Sequence, residues 1–193
     1  TYTSGSTGRP KAVMMAHRAL CNLVAFQSLS SSTSDGRPRT LQFASLNFDV
    51  SFQEMFSTWC AGATLVVVGD ETRRDAGELL RVLDEERVER LFLPFVALQH
   101  LAEASEAEGR VPRHLREVIT AGEQLKITPH IERLFGRLEG CVLDNHYGPT
   151  ETHLATMWRL RGVVAEWPKL PPIGEPIANA QVYVLDRQWR PVP

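Results

Sequence analysis

Cys141-Val142-Leu143-Asp144-Asn145-His146-Tyr147-Gly148-Pro149-Thr150-Glu151 opens as an apolar, β-prone run and breaks at a Gly-Pro pair. It reads as a strand over 141–144 that feeds a tight turn. Upstream, Val118-Ile119-Thr120 is a second short strand, ending before Ala121-Gly122, and Leu91-Phe92-Leu93 is a third, ending at Pro94. Between them, residues 96–107 and 129–138 carry apolar side chains at helical spacing. The same reading predicts strands over 41–46, 63–68 and 181–185, and helices over 51–60, 75–87 and 13–29, the last with Val13, Leu20, Val24 and Leu29 on its apolar face. The serine-rich stretch 30–39, with a Gly and a Pro, reads as an exposed loop. Strands alternating with helices predict an α/β fold, mostly parallel sheets flanked by helices. In such sheets ligands gather at the carboxyl ends of the strands. Residues 46–54, 120–124 and 144–152 each follow a predicted strand, which places them around one cleft.

Composition narrows the function classes. The chain has 193 residues, enough for a domain with its own core, and a formal net charge of −2, which argues for neither nucleic acid nor an anionic membrane surface. No apolar run approaches the roughly 20 residues needed to cross a bilayer, and no secretory signal is recognisable. Cys21, Cys60 and Cys141 form neither a zinc spacing nor a disulfide framework, so a reduced, cytoplasmic protein is expected. The chain starts at Thr1 in a turn-forming loop and stops at Pro193 just after a strand-like run; the expectation is a piece cut from a longer protein.

Two loops carry candidate chemistry. In Thr3-Ser4-Gly5-Ser6-Thr7-Gly8-Arg9-Pro10-Lys11, two glycines let the backbone approach a ligand, while four hydroxyls and a lysine supply donors suited to a triphosphate. It is not a Walker loop, because Arg-Pro follows Gly8. A flexible Ser/Gly linker is the plain alternative, against which stands the ordered end, Pro10-Lys11 before an apolar helix. In Asn145–Glu151 the Gly-Pro turn can gather the flat face of Tyr147, the hydroxyl of Thr150 and the hard oxygen of Glu151, which suits Mg²⁺. A turn with a capping Thr and Glu is the alternative there.

Taken together, Thr-Ser-Gly-Ser-Thr-Gly-x-Pro-Lys and Asn-x-Tyr-Gly-Pro-Thr-Glu resemble the signatures of the adenylate-forming superfamily. The closest likeness is to the adenylation domains of nonribosomal peptide synthetases. Phe48-Asp49-Val50-Ser51-Phe52-Gln53-Glu54 resembles that family's substrate-binding motif, and Gly174-Glu175-Pro176-Ile177 a further core motif. The resemblance covers residues 1–193 and implies part of the large N-terminal portion of an adenylate-forming enzyme. It implies that a substrate carboxylate attacks the α-phosphate of ATP, expels pyrophosphate, and passes on to the pantetheine thiol of a peptidyl carrier protein. By position it implies Thr3, Ser4, Gly5, Ser6, Thr7, Gly8 and Lys11 around the phosphates, Thr150 at the α-phosphate and Glu151 on Mg²⁺. It also implies Gly122, Glu123, Asn145 and Tyr147 at the adenine, with Thr7, Thr150 and Glu151 as the catalytic set. Ala12 departs from the family's usual Gly, at little cost unless the position needs a positive φ.

Asp49 speaks to the substrate. Spacing alone makes it an N-cap for the helix over 51–60. The resemblance makes it the anchor of a substrate α-ammonium, which selects amino acids over simple acids. The resemblance also implies a side-chain pocket of Asp49, Val50, Gln53, Phe92, Ile119, Ala121, His146, Leu154 and Ala155, a pattern similar to that of proline-activating domains, with Leu154 where Val is more usual. Pipecolate and other small apolar amino acids stay open, ordinary core packing is the alternative for each apolar member, and the residues offer no independent reason for Gln53 and His146. The remaining histidines, at 17, 100, 114, 130 and 153, lack metal-ligand spacing and are assigned to surface or packing. Asp84–Arg87 reads as a solvated helix face. The family's catalytic lysine belongs to a small C-terminal domain beyond Pro193, so the chain alone is expected to be inactive. Rival readings are an acyl- or aryl-acid CoA ligase of the same superfamily and a non-catalytic nucleotide-binding module.

Overall fold

Leu91 and Leu93 in one run, Val118 in the next and Cys141 and Leu143 in a third point to the same side, because alternate strand residues share a face, and they give the sheet one apolar face. The computed structural model describes residues 2–3, 11–33 and 36–192. Its elements are β1 (Tyr2–Thr3), β2 (Lys11–Ala12), α1 (His17–Ser30), β3 (Thr40–Gln42), α2 (Val50–Cys60), β4 (Leu65–Val67), α3 (Asp70–Arg74) and α4 (Ala76–Glu85). They continue with β5 (Arg90–Leu93), α5 (Phe95–Glu108), β6 (Glu117–Ala121), α6 (Pro129–Arg137), β7 (Val142–Tyr147), β8 (Thr156–Leu160), a 3₁₀ turn at Val164–Glu166 and β9 (Glu175–Pro176). The main sheet runs β4-β3-β5-β6-β7-β8-β9. Pairing is parallel from β4 through β7 and antiparallel where β8 and β9 complete the edge. The fold is thus α/β with a mostly parallel sheet flanked by helices.

The two sheet faces differ in chemistry. Leu41, Leu91, Leu93, Val118, Leu143 and Leu160 pack against Leu79, Leu80 and Leu83 of α4, Leu98 and Leu101 of α5, and Ile131, Leu134 and Phe135 of α6 in one continuous core. Asp75 caps α4 by accepting from the Gly77 and Glu78 amides. Thr128 caps α6 from the Ile131 amide at 3.3 Å, with Pro129 just inside the helix. The opposite face carries the alternate residues and is covered by α1 and α2. There, Arg90, Glu117, Asp144 and His146 are all buried.

These charges are paired. Arg90 Nε donates to Glu117 at 2.6 Å. Arg159 donates to both oxygens of Asp144, at 2.8 and 2.6 Å, and to Glu117 at 3.2 Å. Two cations and two anions therefore form one neutral chain across β5, β6, β7 and β8. The arginines also reach out of the sheet: Arg90 to the Ser31 hydroxyl at 3.0 Å, Arg159 to the Ser30 carbonyl at 2.7 Å. That pins the carboxyl end of α1 to the strands.

Some sequence expectations are corrected. Gln181–Leu185 is not a strand: Val182, Tyr183 and Val184 are more than half exposed, and only a bridge between Leu185 and Pro191 forms. A β-prone run needs a neighbouring ladder, and none is offered there among the described residues. β7 extends three residues past the predicted 141–144, because Asn145, His146 and Tyr147 pair with Trp158, Met157 and Thr156 of β8. β8 itself escaped the sequence reading, since Met157, Trp158 and Arg159 show no clean apolar alternation. β9 exists because the chain passes tightly over β8: Gly174 has φ +85°, and a Cβ there would lie 2.0 Å from the Met157 carbonyl oxygen. The Gly174–Ile177 motif thus has a steric reason for its glycine.

Candidate functional site

Residues around 46–54, 120–124 and 144–152 do emerge together at the carboxyl ends of β3, β6 and β7. The loop between β3 and α2 is held from inside by Glu54. Its carboxylate, fully buried, accepts the Phe43 and Ala44 amides at 3.0 Å each, and the Gln42 amide at 3.1 Å. Gln42 is in turn held by Arg73 at 2.8 Å. Burial pushes the Glu54 carboxyl up to about 7, against the pull of those donors and of Arg73.

Asp49 sits just before α2, with helical backbone angles, φ −62° and ψ −30°. It occupies the N-cap position but makes no side-chain cap hydrogen bond. The capping expectation is therefore not met by the carboxylate, which makes no side-chain hydrogen bond to the start of the helix. A cleft of ≈ 350 Å³ opens beside it, lined by Val13, Leu20, Asp49, Phe52 and His153 among others.

The residues expected around a substrate side chain lie on α2 and on three strands, apart from the lining of the cleft beside Asp49. Phe92 lies in register with Ile119, and Ala121 with His146, so the four line one face of β5, β6 and β7. Phe92 and Ile119 are buried, yet belong to neither apolar cluster of the described residues. Gln53, buried on α2, reaches the same face: its amide donates to Gln27 at 2.6 Å and lies 3.5 Å from His146 Nδ1. Burial pushes the His146 imidazole down to about 4, so it is neutral near pH 7. Val50 is half-buried in the first turn of α2, and Ala155 is half-buried beside β8. Leu154 instead packs with Leu23 and Ile177 in a small separate cluster.

The turn after β7 carries Thr150 and Glu151, with Tyr147 at the end of the strand. Tyr147 is half exposed, Thr150 is partly exposed and Glu151 is exposed. Gly148 is required here: a Cβ would lie 1.5 Å from the His153 carbonyl oxygen. Asn145 is buried and donates from its side chain to the Pro172 carbonyl at 2.8 Å. Gly122 has φ +85°. Glu123 accepts the Val96 amide at 3.1 Å, which caps α5. Of the hydroxyl-and-glycine loop, Thr3 and Lys11 are paired as neighbours in the β1–β2 ladder, so its two ends meet. Ser4, Gly5, Ser6, Thr7 and Gly8 lie outside the described residues.

Three features were missed from sequence. Gln27 belongs to α1, where a lone glutamine in a helix carries no signal. The Arg90–Glu117–Arg159–Asp144 chain had a faint one: in β5, β6 and β7 a charged residue alternates with Phe92, Ile119 or His146. His153, expected at the surface or in packing, is buried, and its partner was not foreseen: its ring Nε2 lies 3.0 Å from the Asp49 carbonyl oxygen.

Comparison with known proteins agrees with this fold. Gramicidin S synthase 2 of Brevibacillus brevis is 39% identical over 189 residues, which is 97% of this chain but 4% of that protein. Phosphinothricin tripeptide synthetase PhsB of Streptomyces viridochromogenes is 42% identical over 197 residues, 100% of this chain and 16% of its own length. The chain thus spans a small part of these relatives. Among solved structures, the nonribosomal peptide synthetase FmoA3 in its AMPPNP-bound form superposes with a TM-score of 0.84 at 30% identity, over 98% of this chain and 20% of that one. Its α-methyl-L-serine-AMP-bound form gives 0.87 at 29%, over 100% and 21%. PA1221, a protein containing adenylation and PCP domains, gives 0.82 at 27%, over 99% and 37%. The family described as AMP-binding enzyme matches residues 1–193. By the fold, the strand-end loops and this match over its whole length, the chain belongs to the AMP-binding enzyme family.

Proposed function

We propose that this protein activates an amino acid with ATP, forming an aminoacyl-adenylate and pyrophosphate, and delivers it to the pantetheine thiol of a peptidyl carrier protein. The observation that carries this reading is Asp49: an acid at a helix start whose carboxylate does not cap the helix, at the edge of a cleft. A free carboxylate there suits an α-ammonium group. The analogue-bound and adenylate-bound states of FmoA3 support a nucleotide and an amino acid as the two substrates.

In this reading the substrate carboxylate attacks the α-phosphorus as pyrophosphate leaves. Thr3–Gly8 and Lys11 embrace the departing phosphates, and Thr7 and Thr150 orient phosphoryl oxygens. Gly122, Glu123, Asn145 and Tyr147 border the adenine. Glu151 would hold Mg²⁺, which neutralises phosphate charge. Among the described residues no cluster of three His, Cys, Asp or Glu could cage an ion, and this fits a cation shared between one exposed carboxylate and the nucleotide's own phosphates. Catalysis is then mostly positioning and charge neutralisation.

The pocket favours a compact apolar side chain such as proline. Phe92, Ile119 and Val50 are apolar, His146 is neutral, and Gln53 is committed to Gln27 and His146, so no charge in that wall seeks a partner. Three free cysteines and the lack, among the described residues, of a helix able to cross a membrane fit a cytoplasmic site of action.

The test is amino-acid-dependent pyrophosphate exchange by the full-length protein with proline, pipecolate, other amino acids and simple acids. Proline should lead, acids lacking the amine should be nearly inert, and Asp49→Asn should lower kcat/KM for the amino acid by about 10- to 100-fold, the worth of a charge-assisted hydrogen bond. Equal exchange with amine-free acids would make the protein an acid ligase instead.

A further inference from the structure

His153 joins two loops that the proposed reaction uses for different substrates. Its ring lies 3.0 Å from the Asp49 carbonyl oxygen, across 104 residues of sequence. That oxygen also accepts the Phe52 amide at 2.9 Å, the first turn of α2, so the ring takes its remaining lone pair and fixes where the helix begins. At the other end, His153 closes the turn bearing Thr150 and Glu151. The Thr152 and His153 amides both donate to the Pro149 carbonyl, at 3.0 and 2.9 Å, and the Ala155 amide donates to Tyr147 at 2.9 Å. His153 has φ +61°, a left-handed conformation that costs a non-glycine residue energy, and it is 8% exposed. Its carbonyl presses on Gly148 so closely that no side chain fits there. A strained, buried residue held by backbone on one side and holding backbone on the other transmits displacement.

We infer that His153 is a positioning residue that couples the Thr150–Glu151 turn to Asp49, so that nucleotide bound at the turn strengthens amino-acid binding at the aspartate. This rests on the adenylation reading above. The bond requires only a proton on Nε2, which both the imidazolium and one neutral tautomer carry, so its effect is one of geometry rather than of charge.

The experiment is calorimetric titration of proline into the full-length protein, with and without α,β-methylene-ATP, whose α–β bridge cannot be cleaved, and Mg²⁺, for wild type, His153→Gln and His153→Gly. Glutamine keeps an N–H donor on a similar reach. Glycine accepts the positive φ but has no donor, so it removes the link with the least strain. For wild type, the nucleotide should tighten proline binding by about tenfold, within the usual range of coupling between sites. His153→Gly should reduce that factor to about one, whatever its effect on each affinity alone, and His153→Gln should restore most of it. A general structural defect would instead weaken both affinities and lower the melting temperature while leaving the ratio intact, and that outcome overturns the inference. So does a wild-type coupling factor in His153→Gly. Absence of any nucleotide binding by the wild type would overturn the adenylation reading itself, and the coupling with it, and is distinguished by being visible before any substitution is made.

Discussion

Glu117→Leu is the substitution whose cost follows most directly from the structure. The Glu117 side chain is fully buried and accepts Arg90 Nε at 2.6 Å and Arg159 Nη2 at 3.2 Å. Burial pushes its carboxyl upward and Arg90 pulls the other way, so the carboxylate depends on its arginines. Arg159 survives the loss, because Asp144 still holds it through two bonds. Arg90 does not: its side chain is 2% exposed, and its other side-chain partners are the hydroxyls of Ser31 and Ser57, the latter at 3.5 Å. An uncompensated buried cation costs about 3–5 kcal/mol. Native-state hydrogen exchange of the β6 amides, Val118 to Ala121, should then lose about two to four orders of magnitude of protection. Arg90→Met combined with Glu117→Leu should recover most of the loss, since apolar groups of like volume replace a buried pair at little cost. Protection within about tenfold of wild type in Glu117→Leu, or no recovery in the double variant, would refute the view that this pair is held by mutual compensation.

Other expectations follow from single contacts. Gly148→Ala forces a Cβ to within 1.5 Å of backbone, so the turn must move; thermal melting should fall by an amount equivalent to about 1–3 kcal/mol, and exchange activity should fall more than a hundredfold as Thr150 and Glu151 shift. Gln27→Leu leaves the Gln53 amide without its 2.6 Å acceptor, at a cost of about 1–3 kcal/mol by urea unfolding. Glu54 gives a pH signature. Its folded pKa, about 7, lies above the ordinary carboxyl value, so folding retains a proton that the unfolded chain releases, and the stability this contributes at low pH is lost as pH rises through 7. His146, with its pKa lowered to about 4, acts oppositely, adding stability as pH rises from 4 toward 6.5. The difference between wild type and Glu54→Gln isolates the first effect: between pH 5 and 8 it should move by about 3 kcal/mol in favour of glutamine, and a pH-independent difference would show that the buried carboxylate does not titrate there.

How much of this was written in the chain depends on whether the cause was local. Val118-Ile119-Thr120, Leu91-Phe92-Leu93 and the helices between them announce themselves, because propensity and periodicity act within a few residues. The Gly-Pro turn was likewise legible from backbone chemistry, and so was the place of Asp49 just before a helix. Thr156–Leu160 was not, since an edge strand of mixed polarity is stabilised by the ladder it joins, and Gln181–Leu185 failed for the converse reason: suitable residues with no ladder to join.

What the sequence by itself determined was the alternation of strands and helices from β3 to β7, the apolar face of the sheet and the loops that bear hydroxyls, glycines and acids. Only the tertiary structure decided what those groups do for one another. Gln53 and His146 looked misplaced in an apolar pocket until Gln27, 26 residues from Gln53 along the chain, supplied the acceptor. His153 looked like packing until folding carried it 104 residues back to Asp49. A hydrogen bond or ion pair between distant segments leaves no periodicity in either one, because each residue is chosen for a partner that only the closed sheet brings within reach.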